Sequence, residues 1–285
     1  MLFLHKIKDY LIDVKDIIID YWLDLSFRKK LILATVSVMV VGGLLLWYFS
    51  PQFLSKKAEN DQIALVKRQR IHNFSPNKKF HYNTKVSVPD FNTLLKQRKN
   101  TDNLTLRTEL SIPKLKIDLP IYEGVSSSTL AWGGGTAKYG QVLGKRNYAV
   151  EAHNYIKLSY ARNWFFSNLQ TKIAPAGLVK PGMANKYIAA IRGMNIYAKD
   201  ASNVYTYKVL ESQIRNINNP MAADLLEDYR VNTETSSHKP LITLATCYEQ
   251  YNVAHPIQRI VVTGELVKKQ SIYSFKNNNI FNLKE

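Results

Sequence analysis

A single cysteine, Cys247, stands in a chain of 285 residues. It closes the run PLITLATC, residues 240–247, in which Leu241, Ile242, Leu244 and Ala245 make an apolar strand and Thr243 and Thr246 add hydroxyls. A lone thiol is either a small buried apolar residue or a nucleophile. A strand end suits a nucleophile, because the backbone holds the side chain still and presents it at a surface. Such a thiol needs two helpers: a base or cation that favours thiolate, and donors that meet the developing oxyanion. His153, in EAHNY, also ends a strand-like run and is the candidate base. Arg259 opens RIVVTGEL and is the candidate donor, since a guanidinium is always charged and offers forked N–H groups. Each of the two also has a purely structural reading. Among the other histidines, His255 is the main rival, because Pro256 fixes it in a loop near Cys247.

These three positions need strands to hold them. From about residue 104, short runs rich in Ile, Val, Tyr and Thr are separated by Gly, Pro and Asn. They predict strands at 109–112, 119–123, 148–153, 187–191, 194–198, 204–214, 241–246 and 259–267. Helical pieces are expected near 158–169 and 221–229. About eight short strands with few helices predict a mostly-β fold closed into a barrel. In a closed barrel, three strand ends can converge. One cysteine excludes an intrachain disulfide and a multi-cysteine zinc site.

Residues 31–49, LILATVSVMVVGGLLLWYF, carry no charge and are long enough to cross a bilayer. Arg28, Lys29 and Lys30 precede them, and Trp47 and Tyr48 end them. The positive-inside rule then places the N-terminus in the cytoplasm and the rest outside. Residues 1–30 alternate apolar clusters with Lys and Asp at helical spacing, as expected for an amphipathic helix on the inner leaflet or on a partner. Residues 50–104 are strongly basic and lack a strand pattern, which predicts a stalk. The predicted domains are a cytoplasmic segment 1–30, a transmembrane helix 31–49, a basic extracellular stalk 50–104, a catalytic barrel 105–268 and a disordered tail 269–285. The net charge is +17. With a membrane segment present, that charge points to lipid headgroups or an anionic wall polymer rather than to nucleic acid.

Taken together, the chain resembles a class A sortase, a cysteine transpeptidase that attaches proteins to Gram-positive cell walls. Thr243-Leu244-Ala245-Thr246-Cys247 looks like that family's TLxTC signature. His153-Asn154 looks like its His-Asn pair, and Arg259 begins a strand of the family's kind and spacing. The segment 119–136 resembles the family's passage from an early strand through a short helix to a Gly-rich turn. Three features depart from the pattern. Ala152, preceded by Glu151, replaces the usual glycine before the histidine. The stretch 174–192 is longer than usual, and Tyr248 follows the cysteine. None removes one of the three chemical groups.

The resemblance implies a closed eight-stranded sortase-type β-barrel with short helices. It also implies a two-step acyl transfer. Cys247 attacks the Thr–Gly carbonyl of an LPxTG-like sorting signal on a surface protein. Arg259 stabilises the oxyanion and the substrate, and His153 acts as general acid and base. An amine of lipid II or nascent peptidoglycan resolves the thioester. Thr246 and Ala245 are expected beside the substrate. Met221 and Leu225, on a loop that walls the family's groove, are expected to meet the signal's leucine. No cofactor or metal is required, although calcium beside the groove occurs in some members. A pilus-assembling sortase and a non-enzymatic wall-polymer-binding β-domain are the alternatives.

Overall fold

The structure, a computed structural model, describes Lys15, Trp22 and residues 25–73, 80–82, 88–101, 104–162, 164–173, 189–216, 229–231, 238–249, 257–276 and 278–281. The chain divides into two compact units between Leu54 and Ser55. Helix α1, Phe27–Arg68, runs through that boundary and contains Pro51. In the first unit, its large apolar side chains from Leu31 to Phe49 stand exposed. Water disfavours such a run, whereas lipid accommodates it. Among the described residues α1 is the one helix long and apolar enough to cross a membrane.

The second unit starts within the predicted stalk. Ser55, Ala58 and Val66 of α1 are buried, and Val66 packs with Leu106, Tyr122 and Trp132. Helix α2, Phe91–Gln97, is capped by Asp90, whose carboxylate accepts from Thr93 N at 3.0 Å. It buries Phe91 and Leu94 in the main core. Arg98 explains why these residues stay with the barrel. Its Nε donates to Ala131 O at 2.7 Å and its Nη1 to Ala58 O at 2.5 Å. Its guanidinium lies over the rings of Trp132 and Trp164. Burial lowers it to about 10. A residue that reads in the sequence as one more solvated charge is therefore an internal staple, and residues 55–68 and 91–98 belong to the folded unit rather than to a separate stalk.

The barrel strands are β1 Leu106–Ile112, β2 Ile117–Tyr122, β3 Gly134–Thr136, β4 Asn147–Glu151, β5 Asn195–Lys199, β6 Asn203–Asn216, β7 Tyr229–Val231, β8 His238–Cys247 and β9 Gln258–Ser271. Their order is β4-β3-β2-β1-β5-β6-β9-β8-β7, and β4 also pairs with β8. That pairing closes a ring of eight, as the sequence predicts, with β7 attached outside it. Helix α3, Ser127–Trp132, begins with a capping box between Ser126 and Thr129. Helix α4, Ser167–Ile173, starts later than the predicted 158–169 and follows a short turn of helix at Ser159–Ala161.

Four expectations need correction. The Gly-rich turn is strand β3. A Cβ on Gly133 would stand 2.1 Å from Pro120 O, and one on Gly135 would stand 2.2 Å from Gly124 O, so glycine is needed for close approach. Residues 189–191 form a turn of 3-10 helix rather than the end of a strand. Tyr229 begins β7 instead of ending a helix, while 221–228 lie outside the described residues. Finally, the tail is ordered at 269–276 and 278–281. Phe281 is buried, stacks near Phe275, and lies under Lys199 Nζ at 4.6 Å.

Candidate active site

Strands β4 and β8 run parallel, with Glu151 opposite Ala245 as their last paired residues. Two residues further along each strand stand His153 and Cys247. Three hydrogen bonds carry the alignment that far. Ala152 N donates to Ala245 O at 3.2 Å, Thr246 Oγ1 to Ala152 O at 2.7 Å, and Asn154 Nδ2 to Cys247 O at 2.8 Å. On the other side, β9 runs antiparallel to β8, and Cys247 and Arg259 are direct partners. Neighbouring strands lie about 4.8 Å apart, so side chains that share a face can meet. The structure thus brings Cys247 between His153 and Arg259. Alternation sends Leu244, Ile242 and Ala152 into the main core, and turns Glu151, His153, Ala245 and Cys247 to the opposite face.

A buried amide network holds this end of the barrel. Asn154 Nδ2 also donates to Gln170 Oε1 at 2.5 Å, and Asn154 Oδ1 accepts from Ile156 N at 3.0 Å. Gln170, on α4, donates to Glu249 O at 2.5 Å and accepts from Glu249 N at 2.8 Å. The two amides tie the segment after His153 to the segment after Cys247. The sequence names Asn154 only as a neighbour of His153 and does not single out Gln170. No spacing rule marks a glutamine that serves by hydrogen-bonding distant backbone.

Burial sets the protonation. His153 is 2% exposed, lies edge-on to the rings of Tyr155 and Phe165, and has no hydrogen-bond partner for Nε2 among the described residues. Desolvation lowers its imidazole to about 3. Burial raises the Cys247 thiol to about 11; Arg259 pulls it down, while Glu249 and Glu151 push it further up. Near neutral pH the resting pair is therefore a thiol and a neutral imidazole. Such an imidazole can take a proton and return it, and the permanent charge of Arg259 can meet an oxyanion.

Thr246 lies on the core side, and its hydroxyl is committed to Ala152 O, so it ties β8 to β4. Ala245 sits with Ala137 and Ala149 in a small apolar floor. Met221, Leu225 and the rival His255 lie outside the described residues. Among the described residues no group of three or more His, Cys, Asp or Glu side chains is placed to hold a metal ion.

A Sortase domain family model matches residues 110–267, a span that contains all three groups. The chain belongs to the sortase family. It is 26% identical over 237 residues to sortase A of Streptococcus agalactiae, covering 82% of this chain and 83% of that one. It is 27% identical over 246 residues to sortase A of Bacillus anthracis, covering 84% and 97%. A solved structure of sortase A from Listeria monocytogenes is 22% identical, with a TM-score of 0.45, covering 62% of this chain and 97% of that one. In this sortase the thiol and guanidinium lie on neighbouring strands of one closed ring, and the imidazole stands two residues past the end of a third.

Proposed function

We propose that this sortase is a class A-type, membrane-anchored cysteine transpeptidase. It cleaves an LPxTG-like sorting signal between Thr and Gly and passes the acyl group to an amine of a peptidoglycan precursor. One observation carries the reading: the registers of β4–β8 and β8–β9 align Cys247 with both His153 and Arg259. In the first step the Cys247 proton moves to His153 and the sulfur attacks the carbonyl carbon. Arg259 faces the oxygen that becomes negative. The C–N bond then breaks, and His153 gives its proton to the leaving glycine amine. The thioester is left for a second amine. Residues 31–49 serve as the anchor, with Arg28, Lys29 and Lys30 on the cytoplasmic side.

The test uses the full chain in detergent with an LPxTG peptide and an amine acceptor, followed by mass spectrometry. A thioester on Cys247 and an amide product are expected. Cys247→Ala should abolish both. His153→Ala and Arg259→Ala should each slow turnover at least about a hundredfold, the scale of acid–base and oxyanion contributions. Retained turnover in Cys247→Ala would refute the mechanism.

A further inference from the structure

Glu151 is a buried carboxylate that this mechanism does not use. It is 9% exposed, and its Oε1 has no hydrogen-bond partner among the described residues. Its neighbours in the sheet are Gly135 on β3 and Ala245 on β8, neither of which offers a polar side chain. Its electrostatic contacts are with Arg259 and with the Cys247 thiol. A buried polar group without a partner is costly unless something arrives to satisfy it.

Its place relative to the thiol indicates what arrives. Across the sheet the order is β4, β8, β9, so Arg259 stands on one side of Cys247 while His153 and Glu151 stand on the other. The guanidinium side suits the carbonyl oxygen of the acyl donor. Glu151 ends β4 and His153 follows two residues later, where the bond from Ala152 N to Ala245 O continues the pairing with β8, so alternation puts the two on one side. Two residues of strand span about 6.6 Å. A nitrogen hydrogen-bonded to both side chains at about 2.9 Å each fits that span.

We propose that Glu151 binds the ammonium group of the incoming acyl acceptor and holds it between itself and His153, beside the thioester. The inference rests on the acyl-transfer reading above. The nitrogen arrives as an ammonium with three protons and ends as an amide with one. The C–N bond forms as the C–S bond breaks. Of the two protons lost, one restores the Cys247 thiol and the other leaves to solvent through His153. Glu151 binds the ammonium in its ionised form, so it keeps no proton and supplies no atom. The ligand class is a primary ammonium, which carries a charge for the carboxylate and protons for both the carboxylate and the imidazole.

The experiment compares unaltered full-length protein with Glu151→Gln, using an LPxTG peptide as donor and glycinamide as acceptor. Aminolysis and hydrolysis are quantified together. A charged hydrogen bond is worth roughly ten- to hundredfold in binding. In Glu151→Gln the ratio of aminolysis to hydrolysis should fall about tenfold or more, and the KM for glycinamide should rise. If aminolysis and hydrolysis fall in step, Glu151 acts through Arg259 or the thiol, and the proposal is wrong. An unaltered ratio also overturns it. A second measurement needs no variant. Two inert competitors are compared, the tertiary ammonium N,N-dimethylglycinamide and neutral glycolamide. The ammonium should compete about tenfold better, and equal competition overturns the proposal. If the unaltered protein forms no thioester, the acyl-transfer reading itself has failed, which is a different result from a thioester that partitions without regard to Glu151.

Discussion

Thr246→Val tests whether the residue before Cys247 reads the substrate or holds the strands. The substitution keeps the branched shape and removes one hydroxyl. Thr246 is 2% exposed, and its hydroxyl donates to Ala152 O at 2.7 Å, one residue before His153. Its loss leaves a buried carbonyl short of a partner, which costs about 1–3 kcal/mol. For a folded unit of this size, each kcal/mol lowers Tm by about 2–4 °C. The expected drop is therefore about 2–12 °C in a thermal melt. Asn154 still bridges to Cys247 O, so the two strand ends stay together but less firmly. We expect kcat to fall several-fold and the KM for an LPxTG peptide to change little, because the hydroxyl faces the core. The refuting result is specific. A raised KM with an unshifted Tm would mean that Thr246 contacts substrate.

Three further predictions follow from burial. Cys247 should alkylate slowly at neutral pH, and the rate should rise about tenfold per pH unit toward pH 10, because burial puts the thiol at about 11; a plateau below pH 8 in an iodoacetamide pH series would contradict this. The stability of unaltered protein should vary little with pH between about 4.5 and 6.5, because two groups oppose each other there. His153, lowered to about 3, makes the unfolded state the better proton binder and stability rise with pH, whereas Glu151, raised to about 7, makes the folded state the better binder and stability fall with pH. Glu151→Gln should expose the His153 slope of at most about 1.4 kcal/mol per pH unit, and a flat Tm profile for that variant across the window would refute the account. Lastly, a chain cut at residue 105 should melt well below the full chain, since it lacks Arg98, Phe91 and Leu94; equal melting would mean that the buried staple is dispensable.

Much of the site was legible because chemistry and strand pattern agree in it. The apolar run before Cys247 and the Ile/Val run after Arg259 have the residue types of buried strands, and they form β8 and β9 close to the predicted limits. The closure of the ring was legible only as a count of strands. Which strands pair depends on contacts between residues far apart in the chain, and the β4–β8 register that aligns His153 with Cys247 is such a contact. Arg98, part of the basic stretch assigned to the stalk, was misread for a related reason, and Arg107 was not singled out. A charge in sequence looks solvated until its partners are known. Arg107 forms a buried ion pair with Glu123 and donates to the carbonyls of His72, Asn73 and Gln141. Both arginines pull the segment before the barrel onto it. Glycine misled in the opposite direction, because residues 133–135 read as a turn although their lack of side chains serves close strand packing.

On the proposed mechanism, the same burial that keeps Cys247 protonated at rest makes the site effective once substrate enters. A thiol at about 11 and an imidazole at about 3 leave few ion pairs at rest. That protects Cys247 from stray electrophiles, since thiolate is the reactive form. In that mechanism the peptide carbonyl would supply what the resting site lacks, an oxygen that becomes negative as the sulfur attacks. In a dry site, Arg259 would act on that oxygen far more strongly than it would in water. The developing charge also lifts the proton affinity of His153, so the thiol proton has somewhere to go only when a carbonyl is in place. By this logic, Arg259→Lys should retain part of the charge effect and lose the forked donors. It should react with a small activated thioester more nearly normally than with a peptide, whose amide oxygen needs the stronger stabilisation. Equal losses on both substrates would show that the guanidinium serves position rather than charge.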